Sequence, residues 1–194
     1  DNNDQKHVHK GFYSREDLEA IEEFSKERGI TVIPEIETPG HAEALLSAYP
    51  EFGCTGKEIP VQNNWGVFEN VMNPSSPELW VFLEKAIAEL ASVFHGPFIH
   101  IGGDECPHKQ WEDHQGCRKI MEEYGLKDTN ELQGWFTSKA SGIVKKYGKR
   151  AMGWDEVVDA PSIDKDVVVM SWRGLDGARK ATARGHNVVL CPEN

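Results

Sequence analysis

Apolar positions along the chain recur with two different periods, and the change from one to the other marks the elements. Ser14-Arg-Glu-Asp17 reads as a capping box. Leu18, Ile21 and Phe24 follow at helical spacing, and Gly29 supplies the stop. The run ITVIPEI, residues 30–36, has the length and composition of a strand. Pro77 stands where a first helical residue would, after Ser76, and Leu79, Trp80, Leu83, Ile87, Leu90 and Phe94 then mark one helical face. FIHIGG reads as a strand. A polar helix follows over 115–124, and a second runs from about Asn130 to Tyr147. RAMGW, VVVMSW and NVVLC are further strands, the last two separated by a helix from Leu175 to Arg184. The segment from Ala48 to Pro74, rich in Gly, Asn and Pro, reads as a long loop, and loops of that length are usually functional.

Helices and strands therefore alternate, and each strand is nearly continuous in apolar residues, the pattern of a parallel sheet covered by helices. Polar residues gather just after the strands: Glu37 and His41, then Asp104 and Glu105, then Asp155 and Glu156, then Arg173. A (β/α)8 barrel builds its active site on the rim where strand C-termini converge. A doubly wound sheet would need a glycine-rich phosphate turn after an early strand, and neither a GxGxxG nor a Walker sequence is present. The predicted fold class is α/β, an incomplete (β/α)8 TIM barrel occupying residues 1–194 as one partial domain.

Composition narrows the partners. The formal net charge of −11 over 194 residues opposes a phosphate backbone, so no nucleic-acid partner is expected. No apolar run approaches the roughly 20 residues of a membrane span. The opening DNNDQKHVHKG reads as the interior of a longer protein. Cys54, Cys106, Cys117 and Cys191 are too scattered for a disulfide scaffold. Cys106, His108, His114 and Cys117 are of types that suit zinc, but their spacing matches no finger pattern. Loop thiols, reduced or joined in a local bridge, are the expectation there.

The candidate chemistry centres on HIGGDEC, residues 100–106. Neighbouring side chains in extended backbone point apart, so Asp104 and Glu105 are poorly placed to grip one atom from both sides. Taken singly, these acids could cap a loop, His41 a turn, and Trp154 and Trp172 could belong to the core. Arg173 could only pair with an acid, and Asp155 and Glu156 could start a helix or form rim ion pairs. Both tryptophans, however, stand at strand ends beside polar residues, which suits a pocket wall for a sugar face.

The stretches VIPEIETPGHAEALLSAYPEFG, HIGGDE, MGWDE and VMSWRG, in this order, resemble family 20 of the glycoside hydrolases, the β-N-acetylhexosaminidases. The resemblance implies a retaining exo-hydrolase in which the substrate's own 2-acetamido oxygen attacks the anomeric carbon, so that no carboxylate nucleophile is required. It implies Glu105 as general acid and then base, kept protonated beside a charged Asp104. Asp104 would orient the acetamide, and His41 would hydrogen-bond the acid. Glu37, where the family commonly has Asp, would sit near Asp104, and Trp154 and Trp172 would wall the acetamido pocket. No metal or organic cofactor is implied, and the implied partner is a glycan or glycoconjugate ending in N-acetylhexosamine. The setting would be secreted, periplasmic or lysosomal. The family carries two strands before this region, with an Arg and an Asp for the site. It has a Tyr and an acid after its seventh strand and a Trp on its eighth. The chain thus corresponds to strands three to seven, and open sheet edges predict self-association. Two other classes remain open: a non-catalytic glycan-binding protein on the same scaffold, and a barrel hydrolase using metal-bound water.

Overall fold

A computed structural model describes residues 11–191, so most of the opening stretch and the last three residues lie outside the described part. Five parallel strands form one sheet in the order β1 (Glu35–Thr38), β2 (Phe98–Gly102), β3 (Arg150–Trp154), β4 (Val168–Ser171) and β5 (Val188–Leu190). Each strand pairs with the next in sequence, without the order reversal that defines a doubly wound sheet. The helices are α1 (Arg15–Lys26), α2 (Glu43–Ala48), α3 (Pro77–Val93), α4 (Lys109–Asp113), α5 (Gln115–Tyr124), α6 (Thr129–Lys146) and α7 (Leu175–Ala183). None of the described helices is long and apolar enough to cross a membrane.

Local chemistry explains most boundaries. At α1 the Ser14 hydroxyl accepts from the Asp17 amide at 3.1 Å, and Asp17 accepts from the Ser14 amide at 2.8 Å. Pro77 opens α3 behind Ser76, whose hydroxyl accepts from the Leu79 amide. Asp128 caps α6, and Gly125 ends α5 in the left-handed conformation.

Three expectations shift. The first strand is Glu35–Thr38, not 30–36. Proline has no N–H for a ladder, and Pro34 contributes only its carbonyl, which accepts from the His100 amide at 2.9 Å. The short helices α2 and α4 add two elements to those expected. The segment after Ala48 is partly ordered by a 3₁₀ turn at Pro50–Phe52 and an antiparallel bridge between Gly53 and Met72.

The core lies between the sheet and the α3–α6 pair. Leu79, Leu83, Ile87, Phe136, Ala140 and Val144 meet Ile99, Ile101, Ala151 and Val169 there, all buried. Burying a large aliphatic or aromatic side chain contributes about 1.5–3 kcal/mol, so this layer fixes β2 and β3 firmly. Because side chains alternate, Glu35, Glu37, His100 and Trp154 project from the opposite face of the sheet. The polar site is built on that second face.

Candidate active site

The turn after β2 carries the acidic pair. Gly102 and Gly103 adopt φ +70° and +105°, in the region glycine tolerates best. A Cβ on Gly102 would collide with the Glu37 carboxylate, and one on Gly103 with Val157. Glu105 and His41 also hold positive φ, +43° and +47°, which costs an L-residue about 1 kcal/mol or more and is typical of functional turns.

His41 Nε2 lies 3.2 Å from Asp104 Oδ2 and 3.3 Å from Glu105 Oε2. One oxygen from each acid therefore converges on a single imidazole nitrogen, closer together than simple divergence of neighbours predicts. The divergence shows in the spaces the acids line. Asp104 borders a pocket of about 300 Å³ with Glu35, Glu37, Trp154 and Trp172. Glu105 borders a separate cavity of about 190 Å³ with Cys106, His108, Asn130, Gln133 and the segment after β3.

Behind Asp104 the carboxylates form a chain. Glu37 lines one pocket with both Glu35 and Asp104, and a buried acid crowded by other acids keeps its proton more readily. Burial, followed by the neighbouring charges of Asp104 and Glu35, pushes Glu37 up to about 9, so it holds that proton at neutral pH. Glu35 is pulled the other way, below its ordinary range, chiefly by its hydrogen bond with His100. His100 Nδ1 is 3.1 Å from Glu35 Oε1 and also 3.1 Å from the Gly102 amide, so it serves one of them at a time. Two buried oxygens, Glu37 Oε2 and Asp104 Oδ1, have no donor to them among the described residues.

The tryptophans are held as walls. Trp154 donates through Nε1 to Glu35 at 2.9 Å and packs its ring 4.6 Å from His100. Trp172 donates through Nε1 to Glu156 at 3.1 Å. Asp155 is buried, accepts from the Trp172 amide at 3.3 Å and binds Arg173 at 3.0 Å. Arg173 thus pairs with both Asp155 and Glu156 beside the Trp172 ring.

The six residues singled out in the sequence, Glu37, His41, Asp104, Glu105, Trp154 and Trp172, come together in one neighbourhood. Sequence reasoning missed Glu35 and His100. The spacing of Glu35 and Glu37, two apart on one strand, was the available signal, since it puts both on the same face. The sulfur and imidazole group does not assemble. His108 bonds Gln133 and stacks on Trp111, while His114 caps α5 through Nδ1. Among the described residues, only His41, Asp104 and Glu105 bring three ligand-type atoms within 4.8 Å of one another.

The chain belongs to glycosyl hydrolase family 20, whose catalytic-domain model matches residues 1–194. It is 42% identical over 182 residues to the β-hexosaminidase of Porphyromonas gingivalis, covering 94% of this chain and 23% of that protein. It is 36% identical to the β-hexosaminidase of Vibrio furnissii, covering 95% of the chain and 30% of the relative. Among solved structures, the Flavobacterium johnsoniae chitobiase superposes with a TM-score of 0.87 at 34% identity, over 93% of this chain and 28% of that one. The exo-β-N-acetylglucosaminidase of Vibrio harveyi, solved with N-acetylglucosamine, gives 0.83 at 34% identity, over 96% and 30%. The chain therefore spans less than a third of the length of these relatives.

Proposed function

We propose that this chain is the heart of a retaining exo-β-N-acetylhexosaminidase that removes terminal β-linked GlcNAc or GalNAc. In this reading residues 1–194 form one part of a (β/α)8 barrel, its strands three to seven. The observation that carries it is the pair Asp104 and Glu105 on one turn, sharing His41 yet lining two different cavities.

The roles follow from that geometry. The sugar's acetamide enters the pocket of Asp104, where Trp154 and Trp172 offer apolar walls to its methyl group. Asp104 Oδ1, buried and without a donor among the described residues, accepts the acetamide N–H and so turns the acetamide oxygen toward the anomeric carbon. That oxygen attacks, the glycosidic bond breaks, and Glu105 gives its proton to the leaving oxygen. The bicyclic oxazolinium-like intermediate keeps its positive charge beside Asp104, which stabilises it electrostatically. Glu105, now a carboxylate, takes a proton from water as the water opens the intermediate, restoring the β configuration. His41 orients both acids. Glu37, holding its own proton, leaves the negative charge on Asp104, where the developing cation needs it.

The test is Glu105→Gln in the full-length protein carrying this chain, assayed on a β-N-acetylglucosaminide with a poor leaving group. Turnover should fall by about 10²–10⁴-fold, the usual contribution of general acid–base catalysis, with sugar binding retained. Near-normal turnover of the variant would remove Glu105 from this role. Retained binding with no turnover in the wild type would favour a glycan-binding protein instead.

A further inference from the structure

We propose that Gln133 is a positioning residue for the acidic pair, tying the Gly102–Glu105 turn to α6 through one buried amide; the inference rests on the hexosaminidase reading for its catalytic consequence. Gln133 lies in the first turns of α6, buried, and reaches across to the turn after β2. Its Nε2 donates to the Gly103 carbonyl at 2.7 Å. Its Oε1 lies 2.8 Å from His108 Nε2.

The two contacts fix each other. A carbonyl oxygen only accepts, so the NH₂ side of the amide must face Gly103 and the oxygen must face His108. His108 Nε2 therefore carries a hydrogen, and its ring is steadied by stacking on the buried Trp111, 5.3 Å away at 12°. Trp111 in turn donates through Nε1 to the Met72 carbonyl at 2.9 Å. The held peptide lies in the positive-φ part of the turn: Gly103 at φ +105°, one residue before Asp104 and two before Glu105, itself strained at φ +43°. Gly103 also packs so closely on Val157 that no Cβ fits. Gln133 and Val157 thus both hold Gly103, one through its carbonyl and one against its Cα. The direction in which Asp104 and Glu105 leave the turn depends on the orientation of that peptide. A misplacement of about 1 Å at a reacting group can cost roughly 100-fold in rate, so loss of this tether should register in turnover.

Two substitutions test the assignment in the full-length protein. Gln133→Leu removes both hydrogen bonds at similar volume. It should speed amide hydrogen exchange in the segment 102–106 and lower kcat on an aryl β-N-acetylglucosaminide about 10- to 100-fold, with KM changed little. Gln133→Glu keeps the shape and gains a pH signature. Ionised, it sets a carboxylate against the Gly103 carbonyl, whereas protonated it donates as the amide does. Its kcat relative to wild type should therefore recover as pH falls, which a merely space-filling role would not produce. Unchanged exchange in Gln133→Leu, unchanged kcat in it, or a pH-independent ratio in Gln133→Glu would each overturn the proposal. If Gln133→Leu does not fold, the isosteric Gln133→Glu decides through its pH ratio and its exchange in the same segment. If the wild type itself turns over no glucosaminide, the hexosaminidase reading fails, and the exchange measurement still decides whether Gln133 holds the turn.

Discussion

The two sides of the Gly102–Glu105 turn are built from different chemistry. On the Asp104 side stand two indoles and a chain of carboxyl groups, Glu35, Glu37 and Asp104, with His100 behind them. On the Glu105 side the lining is mixed and polar, and its organising group is a neutral amide, Gln133, bound to the backbone of the turn. The Asp104 side suits a fixed guest with an apolar methyl group and one N–H. The Glu105 side leaves the acid half exposed, as the proposed proton exchange with a leaving group and then with water requires. In the proposed mechanism one turn thus separates recognition of the acetamide from the handling of protons.

The largest effect expected on this contrast comes from Asp104→Asn, which preserves shape and removes charge. Turnover should fall by about 10²–10³-fold, the scale of losing one preorganised electrostatic contact, while folding measured by thermal melting is kept. Equal turnover would place the developing charge elsewhere. Trp154→Ala should weaken binding of GlcNAc by about 2 kcal/mol, a factor of roughly 30, because it opens the wall and frees Glu35 from its indole donor. Calorimetry on the full-length protein checks this, and unaltered affinity would take Trp154 out of the pocket.

Glu37 offers a subtler test through pH. Its folded value of about 9 lies above its ordinary 4.5. Between those values the native state binds more protons than the unfolded one, so this group makes stability fall as pH rises through that window. Glu37→Gln cannot lose a proton and should flatten the decline, read as the difference in melting temperature between pH 5 and pH 9. A variant with the same slope as wild type would show that Glu37 is ionised at neutral pH.

The smallest and most general expectation concerns the sheet edges. Among the described strands β1 and β5 each pair on one side only, and Val189 and Leu190 on β5 are exposed. The 194-residue chain purified alone should be larger than a monomer by light scattering, and Val189→Lys should shift it toward monomer. A monomeric wild-type chain would contradict this.

How much of this could be read beforehand depended on range. β2, β3, α3 and α6 fall where the sequence puts them, because each has a continuous apolar run or a helical stripe together with its own cap. β1 slides because one proline outweighs an apolar run, and α4 is a single polar turn with no stripe to announce it. The chemistry at the strand ends was legible through motif order. Its supports were not: Gln133 meets Gly103 across thirty positions of sequence, and nothing local to either residue encodes the meeting. Glu35 lies between these cases, visible by alternation but silent about its partner.

The central claim is that the Asp104 pocket holds the reacting acetamide. It is tested most directly by comparing the affinity of the full-length protein for GlcNAc with that for a thiazoline analogue, which mimics the cyclised intermediate. The account predicts that the thiazoline binds at least about 10²-fold more tightly, as a mimic of a charged intermediate should. A thiazoline bound no more tightly than GlcNAc would contradict substrate assistance at this site.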